Sequence, residues 1–218
     1  MNRLVRLSTV LCIASAGVAH VMAQVQARDN LAPDTPQRLA ASERALVKEV
    51  VIKANLDEAW RSWTTREGIT AFLAPEADID ARVGGAFHVY FDPYAAPGFK
   101  GADDMRYMAL QPPRMLSFDW NAPPSLPQAR QQRTFVVLRF EPLGDRQTRV
   151  RLTHLGWGDG GEWDRAFAYF DKAWDTVFDK LHQRYETGRP TDWSEWLERL
   201  RKAHETPAPS GGATTQSR

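Results

Sequence analysis

The sequence predicts an α+β fold: a curved antiparallel sheet of six to seven strands around one long C-terminal helix, with two short helices after the first strand. Three observations carry this expectation. Residues 159–188 form the longest periodic segment, in which Trp163, Phe167, Phe170, Trp174, Val177, Phe178, Leu181 and Tyr185 recur at steps of three and four and share one helical face. Upstream, several short segments alternate apolar and polar residues, as half-buried strands do. Their parity puts Leu116, Phe118 and Trp120, then Val136, Leu138 and Phe140, then Val150, Leu152 and His154 on one face, and Arg139, Glu141, Arg149 and Arg151 on the other. A sheet with one wet face needs a cover for its dry one, and the aromatic helix has the length to supply it.

The elements follow in order. Residues 1–23 read as a secretory signal peptide: a basic start with Arg3 and Arg6, a short apolar run, and small or tolerated residues before Ala23, with Ala27 as the second choice of cleavage site. Export, periplasmic or secreted, is therefore expected. Residues 24–41, with Pro33 and Pro36, read as a flexible lead-in. Residues 42–54 fit a strand, and Asn55 with Glu58 predicts a capping box for a short helix bearing Trp60 and Trp63, followed by a second over residues 65–73. Strands are expected at 76–82, 86–92, 104–111, 114–120, 132–141 and 147–154, with loops at 93–103 and 121–131 rich in Pro and Gly.

The long helix is expected to open on a second capping box, Asp159 with Glu162, and to stop at Gly188. Residues 189–203 predict a short amphipathic helix whose stripe, Trp193, Trp196, Leu197 and Leu200, serves either as a strap on its own domain or as a homodimer contact. Residues 204–218 read as a disordered tail. The one domain thus spans residues 42–188.

Composition excludes several classes of function. The single cysteine, Cys12, lies inside the signal, so a mature chain has neither disulfides nor thiolate chemistry. Removing Arg3 and Arg6 takes 28 basic residues to 26 against 27 acidic ones, which argues against nucleic acid as a partner. No second apolar run is long enough for a transmembrane helix.

The chain resembles the START-like or SRPBCC superfamily, whose helix-grip fold is shared with birch-pollen allergens and polyketide cyclases. Within it the likeness is to the domain homologous to the activator of the heat-shock protein 90 ATPase. The residues carrying the resemblance are Ile52-Lys53-Ala54 with Ala59-Trp60 and Trp63-Thr64-Thr65, then Gly84-Gly85-Ala86-Phe87, and Pro112-Pro113-Arg114-Met115-Leu116-Ser117-Phe118 with Trp120. Leu152-Thr153-His154 with Gly156 and the closing helix with Trp174 complete the set. The resemblance implies a cavity between sheet and helix that accepts an apolar small molecule. The signal peptide, and the shortness of the segment before Ser42, argue against a chaperone-activating role.

By parity and periodicity, such a cavity would be lined by Trp63, Phe87, Phe91, Leu116, Phe118, Trp120, Leu138, Phe140, His154, Phe167, Phe170 and Trp174, with the two Pro-rich loops as its rim. His154 is the one inward histidine and a candidate acid or base, with Tyr107 as its partner; equally, it can be a structural histidine at a strand end. No histidine and carboxylate spacing suits a metal, and Gly158, Gly160 and Gly161 lack the Lys and Ser/Thr of a phosphate loop. Asp171, Asp175 and Asp179 read as a solvated face with Lys172 and Lys180. The expected function is non-catalytic binding of a hydrophobic or amphipathic small molecule, with no cofactor and no metal. The alternatives are a cyclase or dehydratase using His154, and a protein-interaction module.

Overall fold

The computed structural model describes residues 44–205. The expected signal peptide, lead-in and most of the expected tail lie outside the described residues. The order of elements is β1 (Leu46–Ile52), α1 (Leu56–Thr64), α2 (Arg66–Thr70), β2 (Glu76–Ile79), β3 (Phe87–Tyr90), β4 (Gly101–Ala102), β5 (Tyr107–Gln111), β6 (Met115–Trp120), α3 (Pro127–Arg130), β7 (Thr134–Gly144), β8 (Gln147–Leu155), α4 (Gly161–Thr187) and α5 (Ser194–Glu205). The fold is α+β, with curved antiparallel sheet against a long C-terminal helix in the helix-grip manner.

The strands fall into two sheets, ordered β1-β8-β7-β6-β5 and β2-β3-β4, where the sequence suggested one. Antiparallel hydrogen bonds still run between them, from Phe87 N–H to the Met105 carbonyl at 2.8 Å and from Tyr107 N–H to the Gly85 carbonyl at 3.0 Å. Continuity as a ladder is lost where Asp104 adopts a left-handed φ of 61° just before β5. The alternation expected along β6, β7 and β8 holds: Leu116, Phe118, Val136, Leu138, Val150, Leu152 and His154 are fully buried, and Arg139 and Arg151 are exposed.

The predicted Asn55 capping box forms, with Glu58 N–H donating to Asn55 Oδ1 and Asn55 N–H to Glu58 Oε2, both at 2.9 Å. The one predicted at Asp159 does not. The N-cap of α4 is Gly160, and the Glu162 carboxylate instead accepts from the N–H groups of Gln128 and Ala129, at 2.8 and 2.9 Å. It caps α3, a helix the sequence left inside a loop, because two free amide donors at a helix start attract a carboxylate wherever it comes from.

The α4 face turned to the sheet buries Ala166, Phe170, Trp174, Phe178 and Leu181. On its wet side, Lys48 Nζ bridges Asp171 and Asp175, at 2.8 and 2.7 Å, relieving the like-charge spacing. Helix α5 continues through His204, which the sequence placed in a tail. It is tied to its own domain: Trp193 Nε1–H donates to the Thr70 carbonyl, Trp196 Nε1–H to the Phe91 carbonyl, and His204 Nε2 meets Asp92 Oδ2, each at 2.8 Å. The Lys180 ammonium rests 4.1 Å from the Trp193 ring centre. Two members of the predicted dimer stripe are thus bonded within the chain.

Candidate functional site

The space between sheet and α4 has a filled end and an open end. The filled end is closed by α1 and the turn after α2, which insert Trp63 and Phe72. Trp63 meets Phe72 edge-on at 5.0 Å and stacks with Phe118 at 6.4 Å, while Phe87 stacks on Phe118 at 4.0 Å. Tyr107 donates its hydroxyl to the Trp63 carbonyl at 2.6 Å, and burial drives its phenol strongly upward in pKa. Held in that bond, it has no proton to offer a substrate.

His154 is fully buried and its polar atoms are spoken for. Trp174 Nε1–H, a group that can only donate, reaches His154 Nδ1 at 3.0 Å, so Nδ1 accepts and the ring proton sits on Nε2. Nε2–H then donates to Thr134 Oγ1 at 2.7 Å, and that hydroxyl donates onward to the Trp120 carbonyl at 3.3 Å. A second proton on the imidazole would face the indole N–H. Burial alone already pulls the His154 pKa down to about 3, so the ring is neutral across the physiological range. Its role is to orient Trp174.

Trp174 stands at the divide, because the other side of its ring is wall to the open end. There a cavity of about 320 Å³ lies between α4, the β3–β4 segment and the chain that follows β6. Helix α4 supplies Tyr169, Phe170, Ala173, Trp174 and Val177; the β3–β4 segment supplies Phe91, Asp92, Phe99, Lys100, Gly101 and Ala102. Trp120, Asn121, Ala122, Pro123, Pro124 and Arg130 form the facing wall, Leu73 enters from beyond α2, and Trp196 of α5 reaches the mouth.

Arg130 holds this end open by joining the two loops. Its guanidinium donates to the Ala122 carbonyl at 2.5 Å on one loop and to the Gly98 and Gly101 carbonyls at 2.7 and 2.8 Å on the other. Asn121, with its amide oxygen turned toward the guanidinium, accepts at 3.1 and 3.2 Å. Asp103 lies 3.6 Å from the guanidinium and accepts from the N–H groups of Gly98 and Gly101. Removal from water lowers the Arg130 pKa. Glycine is required at position 101, where a Cβ would come within 2.5 Å of the Val89 carbonyl oxygen.

Of the residues predicted to line a pocket, Phe91, Trp120, Phe170 and Trp174 do so. Trp63, Phe87, Leu116, Phe118, Leu138, Phe140 and His154 share the inward face but lie at the filled end, where they pack on one another and on α1. Phe167 packs elsewhere, 5.3 Å from Trp157 and 4.5 Å beneath the Arg44 guanidinium. Leu73, Tyr169, Val177 and Trp196 lay outside both the predicted lining and the predicted rim. The two Pro-rich loops expected at the rim do provide Phe99, Lys100, Asn121, Pro123, Pro124 and Arg130. Among the described residues, no three His, Cys, Asp or Glu side chains are grouped to hold a metal ion, and no helix is long and apolar enough to cross a membrane.

Comparison with known proteins agrees with this architecture. Residues 53–186, more than half of the chain, match the family model described as Activator of Hsp90 ATPase homolog 1-like protein. Among solved structures, a protein of Mesorhizobium loti is similar with 26% identity and a TM-score of 0.51, over 64% of this chain and 95% of that one. CalU16 from Micromonospora echinospora shares 21% identity at a TM-score of 0.50, over 73% and 83%. The Aha1 dimer from Colwellia psychrerythraea shares 18% at 0.51, over 66% and 98%. The likeness to the last two is one of fold. No curated protein matches the chain.

Proposed function

The chain belongs to the family of Activator of Hsp90 ATPase homolog 1-like proteins, and from that premise we propose that it binds an apolar or amphipathic small molecule in the open cavity and performs no catalysis. The observation that carries the reading is the cavity: about 320 Å³, walled largely by aromatic and aliphatic side chains, with a few polar groups among them. Phe99, Tyr169 and Trp196 remain 56%, 51% and 39% exposed at its edge, an apolar surface that a ligand would cover. Against the cyclase or dehydratase alternative stands the position of His154 and Tyr107, both outside the cavity and both committed to hydrogen bonds within the protein.

Native mass spectrometry of the purified protein tests this, with a bound small-molecule mass as the expected result. A chain that is always ligand-free, with no thermal shift across lipids and aromatic metabolites, overturns it. The same reading takes the chain to be exported, so the mature N-terminus from the periplasmic fraction should begin near Gln24. Recovery of intact Met1 in the cytoplasm would refute export. Because one solved relative is described as a dimer, self-association is a second reading. Light scattering of the chain with and without residues 189–218 decides it: a mass that does not change on truncation removes α5 as the contact.

A further inference from the structure

We propose that the ligand is an anionic amphiphile, whose carboxylate sits against Lys100, Trp120 and Arg130 and whose apolar body lies along Phe170, Trp174 and Val177. This rests on the cavity being a ligand site and adds the charge of what it takes.

The first observation is an unmet donor. Trp120 is 3% exposed, and its indole Nε1–H is buried with no acceptor among the described residues. An indole nitrogen can only donate, and a buried donor left unpaired is costly. Trp63 carries a similar unmet N–H, but it lies at the filled end, away from the cavity wall. Trp120 is part of that wall, and a small turn of its ring would bring the sealed N–H to an acceptor held in the cavity.

The second observation is the charge of the wall. Its ionic groups are Asp92, Lys100 and Arg130. Asp92 is already engaged on both oxygens, accepting from Tyr94 N–H at 3.1 Å and meeting His204 Nε2 at 2.8 Å. Arg130 spends its short bonds on neutral carbonyls, and its nearest carboxylate, Asp103 at 3.6 Å, is shared with two backbone N–H groups. The Lys100 ammonium rests 5.5 Å from the Tyr90 ring centre. No ion pair joins it to a carboxylate among the described residues, and its four-carbon stem lets it turn to a bound head group. The wall therefore carries two cations, Arg130 within it and Lys100 at its edge with the ammonium over Tyr90, while its carboxylate, Asp92, is occupied. Low-dielectric walls strengthen that positive field, favouring an anion and opposing a cation, even though the aromatic walls alone would suit one.

A matched ten-carbon series separates charge from chain: decanoate, decanol and decylamine, titrated by calorimetry at neutral pH into delipidated full chain. Decanoate should bind at least about tenfold more tightly than decanol, the scale of one charge-assisted hydrogen bond, with decylamine weakest. Lys100→Gln should bring decanoate close to decanol. Trp120→Phe should weaken decanoate more than decanol. Lys100 is half-buried and makes no ion pair among the described residues, so its variant keeps the test decisive if the Trp120 variant does not fold. Equal binding of decanoate and decanol, or a decanoate preference untouched by Lys100→Gln, overturns the anionic assignment and leaves the cavity a ligand site. Failure of all three probes to bind overturns both.

Discussion

Around Trp63, Phe118 and His154 the space beneath α4 is filled, and around Phe91, Trp120 and Phe170 it is open, although both ends are rich in aromatic residues. The filled end has two short helices above it, and α1 delivers Trp63 into the gap between sheet and helix. At the open end, loops replace helices. Pro123 and Pro124 stiffen one loop, Gly101 lets the other pass close to Val89, and Arg130 pins the two together by their carbonyls. A cluster of aromatic rings therefore makes core or cavity according to what covers it. Trp174 belongs to both ends, since the His154 bond that completes the filled end also fixes the ring that walls the open one.

Substitutions at the two ends should separate this contrast, and the largest effect belongs to the filled end. Phe118→Ala, at a site with no exposure and with rings stacked on it, should cost about 3–5 kcal/mol in urea unfolding. A much smaller loss would mean that the core there is loose.

The His154 pair gives a pH signature. The ring's folded pKa is depressed to about 3, below the ordinary unfolded value, so the unfolded chain binds more protons between the two. Stability is fully present above the unfolded value and falls as pH drops toward 3, by on the order of 3 kcal/mol between pH 7 and 4. His154→Gln, which keeps a donor and an acceptor, should flatten that part of the profile. An unchanged profile would place the titration elsewhere.

Arg130→Lys tests the staple, because a lysine cannot reach three carbonyls in one plane. A loss of about 1–3 kcal/mol is expected, together with faster proteolysis at residues 93–101 and 121–131. The smallest effect is predicted for Phe99→Ser at the exposed edge. Stability should stay within about 0.5 kcal/mol of the parent while ligand affinity drops, the reverse of the Phe118 pattern.

Much of the fold was legible because strand alternation and helix periodicity are local signals. The inward sets on β6, β7 and β8, the Asn55 cap and the long aromatic helix were all readable from spacing. The cavity was legible in part. Parity marks a side chain as inward without saying which end of the interior it reaches, so Phe118 and Trp120, two residues apart on one strand, looked equivalent. Leu73 and Trp196 escaped because each joins the site from a segment distant in sequence, and the rim loops were read without singling out Arg130 or Lys100. Glu162 was misread for the same reason, since its partner amides lie more than thirty residues away.

The sequence by itself determined the class of fold, the two faces of the sheet, the aromatic face of α4 and the family of this protein. The first three follow from patterns that repeat every two or three to four residues, which backbone geometry imposes whatever the rest of the chain does; the family followed from the resemblance of motifs such as Gly84-Gly85-Ala86-Phe87. The tertiary structure alone decided that His154 is a tether for Trp174 and that α5 straps its own domain. It also decided where the interior stays empty, because a cavity exists only where loops from separate parts of the chain are held short of closing, and no local pattern records that distance.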